Sequence, residues 1–153
     1  MRRTLRTLPP LLLTLAACHA ERPAPPPEFI SAPGAAAALP FSEAVRANGW
    51  LLLSGQIGVK PGTLELVPGG IEAEARQTMD NIVATLARQN LTTDDVVKCS
   101  VFLADIRDWP AFNAVYRGYF GKHFPARSAL AASGLALGAR VEVECVAMDR
   151  HAH

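Results

Sequence analysis

Pro125-Ala126-Arg127-Ser128-Ala129-Leu130, taken with Val141-Glu142-Val143-Glu144-Cys145-Val146-Ala147-Met148, puts one permanent cation and a carboxylate at the starts of two otherwise apolar, strand-like runs. Unpaired charge is costly to bury, so both groups need a partner or a task. Working outward, Val97, Cys99, Val101 and Leu103 alternate with Lys98, Ser100 and Phe102, and the last run alternates in the same way. Period-two alternation marks a strand, and apolar residues on both phases predict a sheet buried on both faces.

Phe41 to Val45 and Trp50 to Ser54 read as two further strands, joined by Asn48-Gly49, a dipeptide that readily takes the positive φ angles of a tight hairpin. Ile71, Ala75, Met79, Ile82, Val83 and Leu86 recur at helical spacing. Asp108-Trp109-Pro110 supplies a cap and a first-turn proline for a second helix ending near Phe120. With strands from Ser128 to Ala132 and from Val141 to Met148, the order describes an α+β domain with both helices on one face of a sheet. The other face is predicted to pack against further subunits. Read alone, residues 128–148 predict a simple hairpin.

The chain has 153 residues, a formal net charge of +1 and half its residues apolar, which suits one globular domain and excludes a basic nucleic-acid groove. The N-terminus differs. Arg2, Arg3 and Arg6 precede an apolar run from Leu8 to Leu15, as in a signal peptide over residues 1–17. Leu15-Ala16-Ala17-Cys18 resembles a lipobox, with cleavage before a Cys18 that becomes lipidated; an ordinary signal peptide with a chance cysteine is the simpler alternative. His19 rather than aspartate after Cys18 points, in a Gram-negative host, to the outer membrane. The expectation is an exported, periplasmic, lipid-anchored protein, with a Pro/Ala-rich tether over 18–27, a domain over 28–149 and a tail over 150–153. Phe29-Ile30 is expected as a first edge strand.

Cys99 and Cys145 remain. Both read as small buried hydrophobes, since a bridge needs a proximity that sequence does not establish. There is no phosphate-binding glycine loop, no Cys-x-x-Cys pair and no helical His-Glu-x-x-His, so the chemistries that those motifs serve find little support. Met79 reads as core, Trp50 and Trp109 as packing residues, and His151-Ala152-His153 as a frayed tail.

Pro125-Ala126-Arg127-Ser128 and Val141-Glu142-Val143-Glu144, together with Ser54-Gly55-Gln56-Ile57, Gln77-Thr78-Met79-Asp80-Asn81, Val96 to Leu103 and Asn113-Ala114-Val115-Tyr116 in that order, resemble the RidA/YjgF (RutC-like) family of imine and enamine deaminases. The resemblance implies a chorismate-mutase-like fold, a mixed sheet whose last strand inserts between the Ser54 strand and the Val96 strand, and a homotrimer with ligand clefts between protomers. It implies hydrolysis of 2-imino acids, such as 2-iminopropionate in equilibrium with 2-aminoacrylate, to 2-oxo acids and ammonia, with neither metal nor organic cofactor expected.

In that resemblance Arg127 clamps the substrate carboxylate and Glu142 handles water. For Arg127 a structural ion pair with Glu142, Glu144 or a neighbouring chain is the alternative, and for Glu142 and Glu144 a solvated strand carboxylate. Ser54 and Gly55 match the pocket floor, Phe41 keeps an aromatic wall but lacks the hydroxyl of the tyrosine found in many relatives, and Ser128 and Ala129 continue past the arginine. Ala129 stands where several relatives have a cysteine, which argues against a thiol-dependent step. Gly58 replaces a frequent proline at the pocket floor. Asn113 and Tyr116 fit the second helix, although a polar helix face explains them as well. The competing expectation is a non-enzymatic trimer that binds a small carboxylate or acts as a holdase; hydrolysis of another carbon–nitrogen bond is a third.

Overall fold

Asn48 and Gly49 take φ values of 48° and 77°, the left-handed pair that a two-residue hairpin turn requires, and close β2 (Ala44–Ala47) onto β3 (Trp50–Leu53). The structure is a computed structural model that describes residues 25–32 and 39–149. Within it β1 (Glu28–Ile30) pairs with β2, and the short β4 (Gln56–Ile57) follows β3. α1 (Gly70–Arg88) precedes β5 (Val96–Leu103), and α2 (Trp109–Tyr116) runs into a 3-10 turn over Arg117–Tyr119. β6 (Ala126–Ala131) and β7 (Val141–Met148) complete a seven-stranded mixed sheet.

The strand order is β1-β2-β3-β7-β5-β6, with β4 alongside β7. The expected insertion of the last strand is therefore present, antiparallel to β3 and β5 on either side. No hairpin joins β6 to β7: β6 runs parallel to β5 at the edge, and β5 separates the two. Local alternation cannot see this, because it specifies which residues share a face and not which strand lies next door.

Ala75, Met79, Ile82 and Leu86 of α1 pack on Val141, Val143, Cys145 and Ala147 of β7 and on Cys99, Val101 and Leu103 of β5 in one continuous core. Val83, expected in the α1 stripe, instead lies on the exposed side of the helix. The opposite sheet face carries the pairs Phe29–Val45, Val45–Leu52, Leu52–Val146 and Trp50–Met148. Phe29 is 71% exposed and Leu52 46%, an apolar surface that the fold leaves bare.

Asp108 does not cap α2 with its side chain as expected. Its carboxylate is taken by the fork of Arg140, with Nε donating to Oδ2 and Nη2 to Oδ1, both at 2.9 Å. Asp105 instead caps the 3-10 turn leading into α2, accepting from the Arg107 amide. The Arg140 amide donates to buried Glu74 of α1 at 2.8 Å, so one arginine ties together α1, the start of α2 and the start of β7.

The expectation of two free buried cysteines is corrected: Cys99 and Cys145 form a disulfide. They are directly opposed on β5 and β7 with Cα atoms 4.1 Å apart, a proximity created by strand pairing and invisible in a sequence separation of 46. The signal peptide over 1–17, Cys18, the tail over 150–153 and residues 18–24 of the tether lie outside the described residues.

Closing a loop of this length lowers the entropy of the unfolded chain, so reduction is expected to cost about 2–4 kcal/mol of stability. Guanidinium unfolding with and without reductant measures it, with alkylation of Cys99 and Cys145 only after reduction as the accompanying mass signature. Equal midpoints despite that alkylation would show the bridge to be dispensable.

Candidate active site

Arg127 leaves β6 in parallel register with Cys99, whose side chain faces the helices, and so points to the helical side of the sheet. There it meets one face of α2. Its Nη2 donates to Asn113 Oδ1 at 2.7 Å, and its Cζ lies 4.7 Å from the ring centre of Trp109, 4.5 Å from Tyr116 and 5.9 Å from Phe112. Trp109, Asn113 and Tyr116 recur four and then three residues apart, the spacing of one helical stripe. Aromatic faces stabilise a cation without neutralising it, unlike a carboxylate. Among the described residues no salt bridge is made by Arg127, so its guanidinium keeps donors for an outside anion.

Tyr116 is buried, and burial pushes its phenol up to about 12 against the opposing pull of the Arg127 cation. It remains a neutral ring at working pH. Its Oη has no hydrogen-bond partner among the described residues.

Glu142 alternates out of phase with fully buried Val141 and Val143 and pairs with Phe102, so it faces the open side of the sheet. Its carboxylate lies against Gly55: a Cβ built there would meet Glu142 Oε1 at 2.0 Å, so any larger residue at 55 displaces the carboxylate. Burial, and secondarily the charge of Glu144, holds the Glu142 carboxyl above the usual carboxylate range. Such a group can take a proton and return it.

The sheet therefore divides the predicted residues into two sets. Arg127, Asn113 and Ala129 share the helical side; Glu142 and Gly55 meet on the other. Near Gly55, the Ser54 hydroxyl donates to the Ser42 carbonyl at 2.7 Å, and the neighbouring Phe41 is 57% exposed. Ser128, next to Arg127, points away from it and accepts from Lys98 Nζ at 2.8 Å. Gly58 is buried against the backbone of Glu74 in α1, where a Cβ would come within 2.8 Å of Cα, so close strand–helix approach explains the glycine. Trp109, expected only to pack, contributes to the arginine site; its spacing to Asn113 and Tyr116 was the available signal. The ion pair between Arg127 and Glu142 is absent because they lie on opposite faces.

The family model described as Endoribonuclease L-PSP matches residues 29–149. The chain belongs to the RidA/YjgF/L-PSP family. Among RidA/YjgF relatives, it is 43% identical over 122 residues to the 2-iminobutanoate/2-iminopropanoate deaminase of Capra hircus, covering 79% of this chain and 89% of that protein. It is 45% identical over 120 residues to Protein HMF1 of Saccharomyces cerevisiae, covering 78% and 91%. The YjgF gene product from E. coli superposes with a TM-score of 0.72 at 34% identity, covering 80% of this chain and 99% of that one.

Because the Glu142 carboxyl holds its proton more tightly in the folded RidA/YjgF domain than in the unfolded chain, it favours the native state below its ordinary pKa of 4.5. That contribution is lost as pH rises through the raised folded value. The stability difference between wild type and Glu142→Gln should therefore shift toward the variant between pH 4 and pH 7, as read from urea midpoints. A constant difference across that range would refute the desolvated carboxyl.

Proposed function

We propose that the chain hydrolyses reactive 2-imino acids, and their enamine tautomers, to 2-oxo acids and ammonia. The observation that carries this reading is the Arg127 guanidinium, held by one amide oxygen and by aromatic faces, with donors to spare. A planar carboxylate beside a C=N carbon is what every 2-imino acid offers such a fork. The name borne by the goat and human relatives, 2-iminobutanoate/2-iminopropanoate deaminase, agrees with it.

In this reading Arg127 binds the carboxylate and Glu142 orients a water toward C2. The water adds to the C=N carbon of the N-protonated imine as one of its protons passes to Glu142, leaving a neutral carbinolamine. Glu142 gives that proton to the carbinolamine amino group and takes the hydroxyl proton as the C–N bond breaks, and the departing ammonia carries this proton away as ammonium, which leaves the 2-oxo acid and restores the carboxylate. A carboxyl with a raised pKa suits both halves of the cycle, and general acid–base help of about 10²–10⁴-fold is ample for a bond that water already attacks. Phe41, Ser54, Gly55 and Ala129 shape the cleft around the two reacting groups.

The working unit is a homotrimer with its sites between copies. Two observations support it: Arg127 and Glu142 face opposite sides of one sheet, and the Glu142 side carries the bare apolar surface of Phe29, Leu52, Trp50 and Met148. Arg127 of one copy and Glu142 of the next then complete each site. The protein is exported and lipid-anchored through Cys18, for which the leader composition and a disulfide suited to an oxidising compartment are the support. Labelled palmitate should enter the wild type and not Cys18→Ser; equal labelling would refute the anchor.

An amino-acid oxidase generating imines in the presence of semicarbazide tests the activity. The wild type should lower semicarbazone formation, and Arg127→Ala and Glu142→Gln should not. Co-refolding equal amounts of these two variants should restore activity, because about a quarter of the interfaces in a randomly mixed ring combine an intact arginine with an intact glutamate. No recovery from properly mixed trimers would refute the shared site, and no effect of the wild type on any imine would refute the activity.

A further inference from the structure

Cys145, Cys99 and Arg127 stand side by side in one row on the helical face of the sheet, because Cys145 pairs with Cys99 across β7 and β5, and Cys99 with Arg127 across β5 and β6. The bridge therefore joins the strand that carries Glu142 to the strand on which the arginine is seated. Neither cysteine is more than 1% exposed, and both belong to the core that α1 closes. Two thiols need more room than the bridge they come from, and a close-packed interior has little to give. The two flanks of the bridge differ in what holds them. β7 is fixed between β3 and β4 on one side and β5 on the other, whereas β6 is the outermost strand and, among the described residues, pairs with β5 alone. β5 is also irregular next to the row, since its register against β7 shifts between Val96 and Lys98. Pressure from a dithiol is thus relieved outward, through β5 into β6 and the arginine it carries.

Resting on Arg127 as the carboxylate clamp of the proposed hydrolase, we propose that the Cys99–Cys145 bridge is a redox device that sets this clamp. The oxidised chain holds the guanidinium against Trp109, Asn113 and Tyr116. The reduced chain keeps its fold, but its guanidinium is displaced and binds a carboxylate more weakly; a shift of about 1 Å suffices for losses of up to about a hundredfold. Reduction is a thiol–disulfide exchange: a dithiol supplies two electrons and two protons, leaving two cysteine thiols and its own cyclic disulfide. A chain in a reducing compartment is then idle, and oxidation after the export proposed above switches it on. Coupling of this kind is reciprocal, so a bound carboxylate stabilises the bridge by the factor by which the bridge tightens the carboxylate.

The test compares the oxidised wild type, the wild type equilibrated with dithiothreitol, and Cys99→Val/Cys145→Ala, which keeps the row apolar and has no bond to form. KM for the alanine-derived imine is expected to rise about tenfold in the last two with kcat nearly unchanged, the signature of lost ground-state binding. Saturating 2-oxobutanoate is expected to shift the equilibrium between bridge and dithiothreitol toward the bridge by about tenfold, about 30 mV for this two-electron couple. Equal KM in the bridged and the reduced, folded chain, or an equilibrium unmoved by 2-oxobutanoate, overturns the device. Loss of native circular dichroism on reduction overturns it too, since the bridge would then hold the fold and not the clamp. Absence of imine hydrolysis by the oxidised wild type overturns the parent reading alone, and the 2-oxobutanoate shift still decides the device.

Discussion

The antiparallel pairing of β7 with β5 governs the rest of the molecule. β7 is the last of the described strands, yet it lies in the middle of the sheet, with β3 and β4 on one side and β5 on the other. Its Val141, Val143, Cys145 and Ala147 form the floor on which α1 packs, and its register brings Cys145 against Cys99. The same register decides the chemistry. With Val143 and Cys145 turned to the helices, Glu142 must face away from them. Arg127, aligned with Cys99 across the parallel β5–β6 pair, must face toward them. A slip of one residue would exchange both faces and bury the carboxylate in the core.

A half-buried arginine usually acquires a carboxylate, and a bidentate pair would occupy the fork that a substrate needs. Here the carboxylates near α2 are already committed: Asp108 to Arg140 and Asp105 to Arg107. What remains for Arg127 is an amide oxygen and aromatic faces, which orient the guanidinium and leave it positive. The ion pairs around it thus matter less for their own stabilisation than for keeping this cation available. Arg140 adds a geometric role, since it joins the start of α2, which carries Trp109, to the residue preceding β7, which carries Glu142.

The bare sheet face belongs to the same logic. Among the described residues helices cover only the Arg127 side, so the face that carries the desolvated Glu142 carboxyl is left with Phe29, Leu52, Trp50 and Met148 exposed. A surface of that kind is stabilised by association, and association is also how two groups on opposite faces can meet around one small substrate. The proposed trimer answers both needs with one contact.

The alternation in β5 and β7, the Asn48-Gly49 turn and the α1 periodicity made the elements and most of the core legible in the sequence, because each depends on residues a few positions apart. Arg127 and Glu142 stood out for the same local reason: charge in an apolar run. Their division between faces was not derivable without strand neighbours. The parallel setting of β6, the Cys99–Cys145 bridge, the diversion of Asp108 from capping to Arg140, and the need for glycine at 58 all depend on segments distant in sequence. Trp109 lies between: its spacing to Asn113 and Tyr116 was visible, but that the stripe receives Arg127 was not. The sequence by itself determined which residues alternate, turn and carry charge, since short-range sterics and hydrophobic periodicity suffice for that. Only the tertiary structure decided which charges stay unpaired and which cysteines meet, since those outcomes follow from register across a sheet whose central strand is made last.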